Sequence, residues 1–193
     1  MTPIAGAAMH HRRPAPEALA LLLAAAHDLG VPDDYARGHR LRQVREPARL
    51  LPIGKDVHGR DQWLAPRAAR AWSKMRAAAT RAGVELLVVS AFRSVEYQLD
   101  LLRRKRERGQ SMAAILEVSA APGYSEHHSG RAVDLTTPAF AALEIEFESS
   151  PAFAWLCDNA ASFGFHLSYP RGNPHGIAYE PWHWCWHEKP KAR

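Results

Sequence analysis

The chain has 193 residues, 47% hydrophobic and 23% charged, which suits one domain with a proper core and excludes wholesale disorder. Lys and Arg outnumber Asp and Glu by 25 to 20, giving a net charge of +5 and a pI near 9.5, a balance that favours anionic partners without choosing among nucleic acid, lipid and acidic polymer. Two cysteines, Cys157 and Cys185, exclude a Cys-only zinc site and a disulfide framework and leave one bridge, and with it the redox compartment, open.

In chain order, the longest apolar run is Ala18 to Ala26, half of the roughly 18 to 20 residues that a membrane-spanning helix needs. Arg12 and Arg13 ahead of it and Ala24-Ala25-Ala26 at its end have the layout of an export signal. Pro14, Pro16 and Glu17 interrupt that layout, and the segment reads better as a helix entered at Pro16 and stopped at Gly30. The rest of the first sixty residues reads as irregular, rich in Pro and Arg. Pro66 to Ala82 is a predicted helix, with Pro at its start, Gly83 past its end and Ala69, Trp72, Met75 and Ala79 at three-to-four spacing. Val84 to Ser90 has the β-branched, apolar composition of a buried strand. Ser94 caps a second helix running to about Arg108, and Ser111 opens a short third. Ala121 to Gly130 reads as a loop and Ala132 to Leu135 as a short strand. Pro151 to Phe163 is a helix between an N-capping Ser150 and Gly164, and Phe165–Tyr169 and Tyr179–His187 read as strands around a Pro/Gly loop. This irregular alternation, with connections too short for repeated parallel crossovers, predicts an α+β fold with a small, largely antiparallel sheet flanked by helices.

The chemistry concentrates in the C-terminal half. Of the eleven histidines, His10, His11, His27, His39 and His58 are scattered through the N-terminal part and read as solvated. His127 and Asp134 frame SEHHSGRAVD, and His183 lies in YEPWHWCWH; two imidazoles and a carboxylate make three ligands of a tetrahedral Zn²⁺ with a fourth position for water. Glycines at 123 and 130 let the His127 loop bend toward Asp134 on the adjoining strand, while His183 arrives from a distant one. If the last strand is extended, Trp182, Trp184 and Trp186 share a core face, and His183, Cys185 and His187 share the other. Cys185 is therefore a rival ligand, disfavoured because the carboxylate-bearing set already has three. Glu180 and His183 would face opposite ways on a regular strand, and Pro181 between them supplies the bend that brings them together. A carboxylate beside a metal can take the proton of an attacking water and pass it to a leaving amine. Arg93, after the VELLVVSAF segment, can stabilise an oxyanion or bind a substrate carboxylate.

Taken together, SAFRS with Tyr97-Gln98 following, PGYSEHHSGRAVDL and YEPWHW resemble the VanY-type D-alanyl-D-alanine carboxypeptidase family, over about Leu50 to Trp186 and in consistent order. The wider group includes D-Ala-D-Ala dipeptidases, phage peptidoglycan peptidases and the Hedgehog signalling domains. The resemblance implies a zinc peptidase domain over 51–193 with a central antiparallel sheet, preceded by a helical and irregular extension over 1–50. It implies one Zn²⁺ on His127, Asp134 and His183, Glu180 as the catalytic base and Arg93 as the transition-state arginine. It also implies substrate contacts from Gln98 and Ser125, with His128 a rim or supporting residue rather than a ligand. The expected activity is a D,D-carboxypeptidase removing the terminal D-alanine from peptidoglycan stem peptides. The L,D-carboxypeptidase, dipeptidase and endopeptidase variants stay open, as does a zinc-stabilised binding module, which the presence of both Glu180 and Arg93 argues against. The run Arg103-Arg104-Lys105-Arg106-Glu107-Arg108 sits at a helix C-terminus, reads as a solvated face and carries no nucleic-acid motif. The substrate class points to the cell envelope and the interrupted leader to the cytoplasm; oligomeric state is not legible.

Overall fold

The computed structural model describes residues 8–188. In chain order these form β1 (Met9–His10), α1 (Pro16–Asp28), α2 (Tyr35–Gly38), β2 (Arg49–Lys55), β3 (Asp61–Leu64), α3 (Pro66–Arg81), β4 (Leu87–Ser90), α4 (Val95–Glu107) and α5 (Met112–Glu117). A 3-10 turn over Glu126–Ser129 leads into β5 (Ala132–Thr136). A second such turn precedes α6 (Pro151–Asn159), and β6 (Phe165–Leu167) and β7 (His183–Trp186) close the fold. The helix starts follow the sequence. Pro16, Pro66 and Pro151 occupy first helical positions, and the hydroxyls of Ser94, Ser111 and Ser150 accept the N–H groups of Tyr97, Ala114 and Phe153.

Mixed helices and an antiparallel sheet give the expected α+β architecture. The main sheet has the order β4-β5-β7-β6, with every pairing antiparallel. Its register matters for function: Asp134 on β5 lies opposite Ser90 on β4 and also opposite His183 on β7. One face packs Val133, Leu135, Trp184 and Phe165 against Trp72 and Met75 of α3, with Leu156 of α6 and Phe147 closing the core. A second apolar cluster joins Ala26, Val31 and Tyr35 to Leu99, Leu102, Met112, Ile115 and Leu116, so α1 and α2 pack on α4 and α5. Tyr35 also accepts the Ala121 N–H through its hydroxyl, which ties residues 16–38 to the loop before the 3-10 turn.

The structure departs from the sequence expectations in three places. Residues 49–64, read as irregular, form the hairpin β2–β3, which β1 extends to a three-stranded sheet. Its turn is set by Asp56, whose carboxylate accepts the N–H groups of His58 and Arg60 and the side chains of Arg60 and Gln62. Pro52 and the register shift before Gly54 hide the two-residue alternation that would have revealed β2. The strand expected over Tyr179–His187 is only His183–Trp186, because Glu180, Pro181 and Trp182 form a turn closed by the His183 N–H on the Glu180 carbonyl at 3.1 Å. Trp182 therefore reaches the core from that turn and not from the strand face. Three of the five histidines read as solvated are engaged: His11 pairs with buried Glu46, His27 Nδ1 bonds the Val31 carbonyl at 3.0 Å, and His39 bonds the His175 carbonyl at 2.6 Å.

Gly130 closes the 3-10 turn at φ +63°, where a Cβ would stand 2.9 Å from the Ala65 nitrogen and 3.2 Å from a Leu50 methyl. A left-handed residue with a side chain costs about 1–2 kcal/mol before any clash, so Gly130→Ala should lower unfolding free energy by at least about that amount. Urea denaturation checks this, and an unchanged midpoint would show that the turn relaxes freely.

Candidate functional site

The segment Ala91–Arg93 between β4 and α4 is the frame of the site. Its Ala91 N–H donates to the Gln62 side chain at 2.9 Å, and the Gln62 amide donates to Asp56, so the hairpin holds it from behind. Glu46 accepts the Val95 N–H and fastens the start of α4. In front, the Ala91 carbonyl accepts from His127 Nδ1 at 2.5 Å, and the Arg93 carbonyl from His128 Nδ1 at 2.8 Å. The Arg93 N–H reaches the His127 carbonyl at 3.4 Å.

With Nδ1–H committed to Ala91, His127 turns its Nε2 lone pair inward, 3.2 Å from Asp134 Oδ2 and without a hydrogen-bond partner. His183 Nδ1 lies 2.9 Å from Asp134 Oδ1, and the two imidazoles meet edge to face at a centroid separation of 4.9 Å. His127, Asp134 and His183 are all buried, and their donor atoms lie within 4.8 Å of one another. A buried, unpartnered imidazole nitrogen aimed at a carboxylate and a second imidazole fits a divalent cation in chemistry and in aim.

The electrostatics agree. Burial, reinforced by the Arg93 charge, pushes His127 down to about 4, so its inward nitrogen is a free lone pair at neutral pH. Burial alone would raise the Asp134 carboxyl, but His127 and His183 hold it well below the usual carboxylate range. His183 is carried up to about 10: burial opposes its charge, and the hydrogen bonds to Asp134 and Glu126 overcome it. The carboxylates that hold a proton on His183 also supply the negative charge that a dication would take.

Glu180 sits at the rim of this group, its Oε2 3.8 Å from His183 Nδ1 and its N–H on the Tyr169 carbonyl at 3.1 Å. Burial raises its carboxyl to about 7, with Asp134 and Glu126 adding to the shift and His183 and Arg93 opposing it. A carboxyl poised near neutrality exchanges a proton readily in either direction. Arg93 is half-buried, and its Nε has no partner.

The remaining expected residues take varied places. Gln98 is fully buried, its amide donating to the Ala120 carbonyl at 2.9 Å while its oxygen has no partner. Ser125 is buried at the head of the 3-10 turn. His128 is buried and not at the rim: it braces the loop, with Nδ1 on the Arg93 carbonyl and Nε2 accepting the Gly123 N–H at 3.1 Å. Cys185 lies outside the His127–Asp134–His183 group and clusters instead with Glu126 and His187.

Two residues escaped the sequence reading. Glu126 accepts from His183 Nε2 at 2.9 Å and from the Ser168 hydroxyl at 2.6 Å, so it orients the ring from the far side. No local pattern reveals a partner 57 residues away; its place beside His127 was the only signal. Lys105, read as part of a solvated face, is half-buried and donates to Ser119 at 2.8 Å. Burial and then the Arg93 charge push its ammonium down, with Glu180 opposing them.

The Bacillus subtilis (strain 168) protein YodJ is 35% identical over 127 residues, 63% of this chain and 45% of the relative. The D-alanyl-D-alanine carboxypeptidase of Enterococcus faecium is 32% identical over 124 residues, 63% of this chain and 36% of the relative. The chain thus spans less than half the length of either. Among solved structures, the LdcB LD-carboxypeptidase superposes with a TM-score of 0.66 at 30% identity, covering 73% of this chain and 69% of that one. A VanY D,D-pentapeptidase mutant from a VanB-type resistance cassette, in complex with Zn(II), gives 0.57 at 26% identity over 77% of this chain and 87% of the other. The family described as VanY, D-alanyl-D-alanine carboxypeptidase, matches residues 61–189, and the chain belongs to that family.

Proposed function

We propose that the chain is a zinc-dependent D,D-carboxypeptidase that removes the terminal D-alanine from peptidoglycan stem peptides. The observation that carries this reading is the buried group of His127, Asp134 and His183, with the Glu180 carboxyl poised near neutrality beside it. His127 Nε2, an Asp134 oxygen and His183 Nδ1 would hold one Zn²⁺. Such an ion supplies a Lewis acid that polarises the scissile carbonyl and acidifies water.

The chain's own residues do the rest. The Ala91 carbonyl fixes the His127 tautomer, and Glu126 with Ser168 fixes His183, so neither ring needs to reorganise during the reaction. The Glu180 carboxylate takes the proton of the attacking water and returns it to the leaving amine nitrogen. The Arg93 guanidinium faces the charge that grows on the carbonyl oxygen, in surroundings dry enough for one charge-assisted bond to count. Ser125, at the head of the 3-10 turn that carries His127, is a substrate contact in this reading, and fully buried Gln98 serves the peptide only through the Ala120 carbonyl that its amide holds. An L,D-carboxypeptidase is the second reading, favoured by the likeness to LdcB.

Glu180→Gln keeps shape and most hydrogen bonds but cannot carry the proton. It should fold, retain zinc and lose at least about 10²-fold in turnover. Wild-type hydrolysis by this variant would remove Glu180 from the mechanism. Arg93→Lys keeps the charge and loses the planar fork, so steady-state kinetics should show a loss on the order of 10²- to 10³-fold. Unchanged rates would make Arg93 a structural ion. Metal analysis of His127→Ala, Asp134→Ala and His183→Ala should each show depleted zinc; full occupancy in all three would refute the ligand set.

A further inference from the structure

Beyond the inner triad, a second set of metal-competent donors gathers on the same side of the sheet. Cys185 and His187 follow His183 at two-residue steps, so all three project from one face of β7 and its continuation. Glu126 reaches the same point from the 3-10 turn, and the donor atoms of Glu126, Cys185 and His187 lie within 4.8 Å of one another. His166 on β6 pairs directly opposite Cys185, which puts its side chain on that face too, and its ring centroid is 5.7 Å from that of His187.

We propose that Glu126, Cys185 and His187 form a second metal site, for a divalent cation of the thiolate-accepting class that Zn²⁺, Co²⁺ and Cd²⁺ represent, with exposed His166 outside the group as the neighbouring imidazole. One thiolate and one carboxylate neutralise a dication, and imidazole completes a borderline-soft set unlike the sulfur-free inner triad. The cation displaces the Cys185 thiol proton to solvent, and nothing is oxidised or reduced. Tetrahedral donors at bond lengths of about 2.0–2.3 Å stand within such a separation of one another, and exposed His187 and partly exposed Glu126 have the torsional freedom to adjust around buried Cys185. His187 also marks the entry from solvent. The cation nearby is Arg131, whose guanidinium is engaged over the Trp186 ring at 5.9 Å.

Glu126 gives the second site a consequence. Its Oε2 already accepts from His183 Nε2 and from Ser168. A cation at the outer site therefore draws on the carboxylate that orients an inner ligand, so outer occupancy should slow turnover. That coupling rests on the peptidase reading; the site itself stands on its donors.

Cobalt loading of the metal-stripped, reduced full chain tests the proposal. Wild type should bind two Co²⁺ and show a thiolate-to-cobalt charge-transfer band in the near ultraviolet. Cys185→Ser should lose the band and one equivalent. His187→Ala, at an exposed position that leaves folding intact, should weaken the outer equivalent by at least about tenfold. His127→Ala should lose the inner equivalent and keep the band. A single equivalent with no band overturns the site, and so does a band abolished by His127→Ala, which would make the thiol a ligand of the inner ion. Two bound cobalt ions in a protein that cleaves no peptide would sustain the second site and refute the peptidase reading alone.

Discussion

Two backbone carbonyls, those of Ala91 and Arg93, govern this site. They take the Nδ1–H groups of consecutive histidines, His127 and His128, and so decide which nitrogen of each ring stays free. His127 is left with an inward lone pair, and His128 becomes a brace whose second nitrogen holds the Gly123 N–H. Neither ring can rotate without leaving a buried donor unsatisfied, at about 1–3 kcal/mol each. The carbonyls are themselves held by the hairpin, through Asp56, Gln62 and the Ala91 N–H, and by Glu46 at the start of α4. An exposed turn on one side of the molecule is thus mechanically continuous with a candidate metal ligand on the other.

The sheet supplies the remaining constraint. β4, β5 and β7 run antiparallel, and the register shift between Val88 and Ser90 sets Asp134 between Ser90 and His183; a slip of one residue would turn its carboxylate into the apolar core. Replacing a buried ion pair with apolar residues is often neutral or stabilising, so the His127–Asp134–His183 group is weak as a stability device. Its desolvation makes physical sense as the cost of a low-dielectric site in which a charge and a displaced proton count heavily. Glu180 obeys the same logic: the burial that raises its carboxyl comes from the Pro181 turn, the one place where β7 departs from the extended form that its sequence suggests.

How much of this was legible depended on sequence distance. His127, Asp134 and His183 stood out because each lies in a compact motif of unusual composition, and Pro181 announced the bend that brings Glu180 back toward His183. Helix starts were legible because Pro and Ser mark them locally. The β2–β3 hairpin was not, because Pro52 and a register shift blur its alternation and its turn is made by a single Asp. Glu126 and Lys105 were missed for a different reason: a Glu among histidines and a Lys in a basic helix look solvated until the fold sets His183 and Ser119 against them. The second donor set was half visible, since the shared face of His183, Cys185 and His187 follows from strand periodicity, whereas its carboxylate comes from another element.

The central claim is that this buried group cleaves the C-terminal residue from a stem peptide. Incubating zinc-loaded protein with a pentapeptide ending in D-Ala-D-Ala and with the corresponding tetrapeptide, and weighing the products by mass spectrometry, tests it most directly. The account predicts loss of one alanine from the pentapeptide, and none after zinc is stripped. Loss from the tetrapeptide alone would move the assignment to the L,D reading. Both peptides intact in the presence of full zinc would contradict the account.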